Sequence, residues 1–273
     1  MVNTPEADGC PRVVNVSTRD AQKQGKVSVI EAEGLHKVYG EVVAVQDLSF
    51  QVRAGEVVGL VGPNGAGKTT TLHCLAGITI PTRGRVRVAG HDLATEAVAA
   101  KSALAFVPDE PHLFEYLTVE EHLRFVARLY QVHDVDGRIP GVLRELELED
   151  RRRALPEELS RGMKQKLAIG CALIHSPRAL LLDEPLTGLD PVGIRRMKAT
   201  ILSHARSGAA VILSSHLLHL VEEVCTRVLI MRRGRVLAFG TIDQIVAARP
   251  DLAGLRLEDV FLGLVGQESL ESE

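Results

Sequence analysis

Tryptophan is absent from this chain of 273 residues, and tyrosine occurs only three times. Aromatic side chains with a polar handle are therefore scarce enough to be weighed one by one. Cysteine is sparse too: Cys10, Cys74, Cys171 and Cys225 lie far apart and form no C-x-x-C pair. That spacing argues against a zinc or dithiol site and leaves small core residues in a reducing compartment as the expectation. No apolar run approaches the ~20 residues that a membrane-spanning helix needs. Met1 to about Lys26 is polar without an apolar centre. It reads as a disordered tail rather than a secretory signal, and the chain is expected in the cytoplasm. A net charge of −3 offers no footprint for nucleic acid, and none is expected as a partner. The remaining composition, 45% hydrophobic and 25% charged, suits a globular protein with a sizeable core.

Glycine is plentiful where it matters. Gly62-Pro63-Asn64-Gly65-Ala66-Gly67-Lys68-Thr69-Thr70 fits the phosphate-loop template G-x-x-x-x-G-K-S/T and follows the strand-like Glu56–Val61. Glycines let the backbone curl with its N–H groups inward around a phosphate. Lys68 is placed to reach the β- and γ-phosphates, and Thr69 to offer its hydroxyl to Mg²⁺. The apolar continuation through Leu72 and Leu75 predicts a helix whose positive end faces the phosphates. A bound nucleoside triphosphate, ATP with Mg²⁺, is the expectation.

Strand-like and helix-like runs alternate along the chain. Val27–Glu33, Val42–Val52 and Gly84–Ala89 read as strands, the second with a slight irregularity in its alternation. From about Thr118 to His175 helical spacing dominates, opened by a capping box of Thr118 and Glu121 before Val119–Tyr130. Strands return at Ala179–Leu182, Ala209–Leu213 and Val228–Met231, and Asp190 with Pro191 caps a helix over Val192–Ala205. The fold class is α/β with a mainly helical insertion, here bounded at about 110–175.

Two acids close the buried run Ala179–Leu182. Asp183, at the carboxyl end of a parallel strand, is placed to hold Mg²⁺, and Glu184 to polarise the water that attacks the γ-phosphate. Between these motifs stands Leu159-Ser160-Arg161-Gly162-Met163-Lys164-Gln165, at the head of an apolar helical stretch. Here the chain resembles the ATP-binding cassette (ABC) family, whose signature reads Leu-Ser-Gly-Gly-Gln. The resemblance runs from about Val27 to Gly266, with 267–273 left as a C-terminal tail. It implies a P-loop core of mixed sheet and helices, an antiparallel β subdomain, and a helical subdomain carrying the signature. It further implies that Ser160 and Gly162 meet a γ-phosphate, that Tyr39 stacks on adenine, and that Leu186–Asp190 crosses a dimer interface. His216, after the strand at Val211–Leu213, resembles the switch histidine that touches the γ-phosphate and aligns Glu184 with water.

The chain departs from the family pattern at the Q-loop, where Asp109 stands in place of Gln, and in the signature, where Arg161 and Met163 replace Gly and Gln. A carboxylate is a stronger ligand for a hard cation than an amide, but it is one methylene shorter and repels the γ-phosphate. Asp109 is expected to sense Mg²⁺ even so. Arg161 and Lys164 are expected to add positive potential across the interface, and the Arg-Gly-Met sequence resembles exporter-type variants.

The family's arrangement implies that one subunit's P-loop and another's signature enclose each ATP. This chain is accordingly expected to work with a second ABC ATPase subunit, most simply a copy of itself. It would be the ATP-hydrolysing motor of an exporter, peripheral on the cytoplasmic membrane face. A separate multi-span membrane subunit would contact the region of Pro108–Tyr116, where Leu113, Phe114 and Tyr116 serve either as its contact or as lobe core. The alternative is an ABC ATPase of iron–sulfur assembly, DNA repair or translation, against which stand the missing coiled-coil or zinc insertion and the single cassette.

Overall fold

The computed structural model describes residues 14–15, 27–248 and 254–270, with side chains over 27–248 and 254–266. Strands are β1 (Val14–Asn15), β2 (Ser28–Tyr39), β3 (Val42–Arg53), β4 (Val57–Val61), β5 (Arg83–Val88), β6 (His91–Asp92), β7 (Leu104–Val107), β8 (Ala179–Asp183), β9 (Ala210–Ser214), β10 (Arg227–Arg232) and β11 (Arg235–Gly240). Helices are α1 (Lys68–Leu75), α2 (Ala97–Ser102), α3 (Val119–Leu129), α4 (Val135–Glu145), α5 (Arg161–Leu173), α6 (Pro191–Arg206), α7 (Leu218–Val224), α8 (Ile242–Ala247) and α9 (Leu257–Leu270).

Among the described residues one sheet runs β1-β11-β10-β4-β9-β8-β7, and a second, antiparallel sheet runs β3-β2-β5-β6. In the first, β10, β4, β9, β8 and β7 are mutually parallel. Parallel strands covered on both faces are apolar along their whole length, which is why β4, β8 and β9 read as continuous runs. Their alternation still sorts two cores. Val57, Val61, Leu180, Leu182, Val211 and Leu213 face the helical lobe and the carboxyl-terminal helices. Val58, Leu60, Leu181 and Ile212 face α1 and the antiparallel sheet. Because β8, β9 and β4 are neighbours, Asp183, the turn after Ser214 and the P-loop emerge side by side at one sheet edge.

The helical lobe is α3, α4 and α5. Thr118 Oγ1 accepts from Glu121 N at 3.3 Å and Glu121 Oε2 accepts from Thr118 N at 2.8 Å, closing the expected capping box. Asp190 caps α6 by accepting from Gly193 N at 2.6 Å. The irregularity of β3 is a bulge at Asp47, which takes φ +48° as the ladder to β2 shifts register. The first strand does not stop at Glu33: Gly34, at φ +56°, absorbs an irregularity and the ladder continues to Tyr39. The expected amino-terminal tail lies outside the described residues apart from Val14–Asn15, which pair in parallel with Ala238–Phe239. Helix α9 continues past the boundary placed at 266. Cys74, Cys171 and Cys225 are free thiols, pushed by burial up to about 11, 12 and 12; Cys10 lies outside the described residues.

Candidate nucleotide site

Between β4 and α1 the backbone curls tightly, and two of its glycines are demanded by contact. A Cβ on Gly67 (φ +99°) would lie 2.3 Å from Ala44 O, and one on Gly62 would lie 2.4 Å from Met231 O. The β10–β11 hairpin braces the same loop: Gly234 N donates to Ala66 O at 3.0 Å, and Gln46 N donates to Gly234 O at 2.7 Å. Lys68 Nζ reaches back to donate to Gly62 O at 2.7 Å and Pro63 O at 3.2 Å. Burial lowers the pKa of this ammonium, opposed by the charges of Glu184 and Asp183. Helix α1 has no side-chain N-cap and no acid in its first turn, so its N-terminal N–H groups keep their pull on an anion.

Facing the loop, the acids are fixed by β9. Asp183 is 5% exposed and accepts from Ser214 Oγ, which itself accepts from Glu184 N at 3.0 Å. Glu184 adopts φ +48°, a strained backbone for a non-glycine residue. Its Oε2 lies 2.8 Å from His216 Nδ1 and 3.4 Å from His216 N. Asp183, Glu184 and His216 line a cleft of about 790 Å³ with Asn64–Thr70, Asp109 and Thr187.

Two buried oxygens of this cleft, Asp109 Oδ1 and Thr187 Oγ1, have no hydrogen-bond partner. With Thr69 and Asp183 they form a set of hard oxygen donors of the kind Mg²⁺ takes. Among the described residues no cluster of three His, Cys, Asp or Glu could hold a metal alone. Mg²⁺ does not require one, since it is usually bound by one or two carboxylates plus substrate phosphates. The residues present therefore fit a magnesium-bound triphosphate.

The structure thus gathers Asn64–Thr70, Asp109, Asp183, Glu184 and His216 into one cleft, while Gly62 and Pro63 hold Lys68 through their carbonyls. It does not bring Ser160, Gly162 or Tyr39 to the wall of that cleft. Ser160 is exposed and caps α5, its Oγ accepting from Met163 N at 3.2 Å. Tyr39 is half exposed at the end of β2 with Lys37 Nζ 4.7 Å from its ring centroid, and Val42–Ala44 line the cleft nearby. Ser214, Thr187 and Arg233 join the site beyond the residues that the motifs single out. Ser-Ser before His216 and Thr in the loop after Glu184 were available signals; Arg233 reaches the cleft from a hairpin turn with no local motif.

The ABC transporter family model matches residues 45–187. The chain is 31% identical to the ABC-type transporter ATP-binding protein EcsA of Bacillus subtilis over 245 residues, spanning 89% of this chain and 99% of that one. It is 35% identical to the linearmycin resistance ATP-binding protein LnrL of B. subtilis, over 78% of this chain and 69% of that one. It is also 35% identical to the Nod factor export ATP-binding protein I of Ralstonia nicotianae, over 81% and 70%. A solved ATP-binding subunit of an ABC transporter superposes with a TM-score of 0.83 at 36% identity, covering 87% of this chain and 99% of its own. A family match over half the chain, relatives spanning most of it and a shared fold converge on one assignment: the chain belongs to the ABC transporter family, as an ATP-binding subunit that hydrolyses ATP and works with membrane partners.

Proposed function

We propose that this chain drives an exporter as one half of an ATP-bridged homodimer, peripheral on the cytoplasmic face of the membrane through a separate multi-span partner. The observation that carries the hydrolytic part is the 2.8 Å contact of Glu184 with His216 beside Lys68 in one open cleft. Gly62–Thr70 receive the triphosphate, and Lys68 exchanges its two backbone carbonyls for phosphate oxygens. Thr69, Asp183 and Asp109 would hold Mg²⁺, which supplies charge neutralisation on the phosphates when bound. Glu184 orients and deprotonates the attacking water. His216 keeps the Glu184 carboxylate aimed, and Ser214 holds Asp183 and the Glu184 backbone in register.

Ser160 and Gly162 serve the other chain of the pair. They lie away from the cleft of their own chain, while the start of α5 offers a hydroxyl and backbone N–H groups. Tyr39 packs on the adenine from the rim. The functional unit is 27–266.

We assign the transport path to the partner; among the described residues no helix is long and apolar enough to cross a membrane. A groove of about 630 Å³ between the loop after β7 and the lobe suits one of that partner's helices. Its wall includes Leu113 and Tyr116; Tyr116 is 88% exposed, whereas Leu113 packs on the core. Phe114 stays 54% exposed beside His122 and Phe125. The direction, export, rests on relatives named for Nod factor export and linearmycin resistance.

Glu184→Gln tests the mechanism. The variant should bind ATP as the parent does yet hydrolyse it roughly 10²–10⁴-fold more slowly, the range of a lost general base. Unchanged turnover would remove Glu184 from the reaction.

A further inference from the structure

Two of the three sequence positions that depart from the family pattern, Asp109 and Arg161, meet in space. Arg161 Nη2 lies 3.6 Å from Asp109 Oδ1. That is an ion-pair distance rather than a hydrogen bond, and the oxygen is otherwise buried without a partner. Asp109 therefore sits at the wall of the nucleotide cleft held by charge alone. Arg161, in turn, belongs to the first turn of α5, next to Ser160, and its stem crosses the loop that follows Glu184. A Cβ on Gly188 would lie 3.1 Å from Arg161 Cδ and 3.3 Å from Nε. Gly188 itself is at φ +78°, and a Cβ on Gly162 would meet its carbonyl at 3.1 Å. One guanidinium thus ties together the cleft wall, the loop after Glu184 and the start of α5.

We propose that Arg161 is a positioning residue for Asp109 and competes with Mg²⁺ for its carboxylate. The proposal rests on the reading that Asp109 faces the Mg²⁺ of the bound nucleotide. Without nucleotide, Asp109 is held by Arg161. With Mg²⁺ and ATP in the cleft, a hard divalent cation is the stronger partner for a carboxylate oxygen. A half-exposed ion pair is weak and yields readily. The turn of Asp109 toward the cation leaves Arg161 unpaired beside Ser160 and Gly162. Loading a chain's own cleft then frees a positive charge at the surface offered to the triphosphate of the second chain. A cation at a helix N-terminus is unfavourable by itself, which adds to the pull of an incoming polyanion.

The test is the Mg²⁺ dependence of ATP binding to the full chain, followed by calorimetry at fixed ATP, for Arg161→Gln, Asp109→Asn, the double variant and Arg161→Lys. Arg161→Gln should lower the Mg²⁺ concentration at half-effect by roughly threefold, the size a half-exposed pair supports. Asp109→Asn should raise it. In the Asp109→Asn background the Arg161→Gln effect should disappear, because the two residues act as one unit. Arg161→Lys should keep the parental value. If Asp109→Asn leaves the Mg²⁺ dependence unchanged, the placement of Asp109 at the cation fails and this inference falls with it. If Asp109→Asn shifts it but Arg161→Gln acts equally in both backgrounds, Arg161 works through long-range charge alone and only the pairing is overturned.

Discussion

Around the P-loop the functional groups are held in place by their neighbours: Lys68 by two carbonyls, Asp183 by Ser214, and Glu184 by His216. At the start of α5 the comparable groups look outward. Ser160 is exposed, its hydroxyl occupied only by capping its own helix, and Arg161 is held by a single soft ion pair. The groups of the first region are each braced by a neighbour, whereas the second is a capped helix end open to its surroundings. In the homodimer we propose, that difference lets the P-loop and the signature of one chain serve two different sites. There each helix end would serve the cleft of the other chain.

Substitutions can separate the two regions. Lys68→Ala should lower ATP affinity of the isolated chain about 100-fold, in line with loss of a charge-assisted hydrogen bond to phosphate. Titration calorimetry reads it, and near-normal binding would mean that the cleft is misassigned. Ser160→Asp is the counterpart. Asp caps a helix as well as Ser does, so the lobe should remain folded while a carboxylate faces the incoming phosphate. Single-chain ATP binding should stay within about twofold of the parent, and ATP-dependent dimers should vanish in sedimentation velocity. Dimers of normal stability would sink the outward-facing role.

The lobe can also be loosened without touching the cleft. A Cβ on Gly170 would meet Leu146 Cδ1 at 2.7 Å, Val142 Cγ1 at 3.2 Å and Leu123 Cδ2 at 3.3 Å. Gly170→Ala should cost about 1–3 kcal/mol in denaturant unfolding, as overpacking of a tight helix contact does. ATP affinity of the single chain should hold.

Two titrations complete the comparison. In the free chain burial lowers the Lys68 pKa, and a bound triphosphate raises it, so ATP binding takes up protons on the alkaline side. Affinity should be full below the free-chain pKa and fall as pH rises from there toward the bound-state value; a flat alkaline profile would contradict it. Between α5 and β8, His175 stacks on Tyr130 with ring centroids 3.8 Å apart, and burial lowers its pKa. The unfolded chain then binds the proton more tightly than the folded one. His175 should subtract a little stability as pH falls from about 6.5 to its lower folded value, and His175→Phe should blunt that acid slope.

Much of the core was legible because burial on both faces writes itself into sequence. β4 is apolar throughout, β8 and β9 are apolar up to their last residues, Asp183 and Ser214, and the P-loop and the acids at 183 and 184 sit at the carboxyl ends of β4 and β8. Local caps were legible too, since Thr118 with Glu121 and Asp190 with Pro191 act within one turn of helix. Contacts made by tertiary approach were not. Helix α4 contains Gly137, Pro140 and Gly141, residues that read as breakers, and it folds around buried Ile139 and Leu143 with Asp134 as its cap. Arg233 lines the cleft only because the β10–β11 hairpin packs on the P-loop. Asp109 and Arg161 each looked like an isolated departure, and only the packing of α5 against the loop after β7 makes them a pair.

The central claim, that each ATP site is shared between two chains, is tested most directly by mixing two inactive variants. Lys68→Ala and Ser160→Asp chains, each without ATPase activity alone, are combined in equal amounts and assayed. A mixed dimer carries both defects in one site and none in the other. The mixture should therefore regain ATPase activity, up to roughly half of the parental value, since each mixed dimer holds one intact site of two. A mixture as inactive as its components would contradict the shared site.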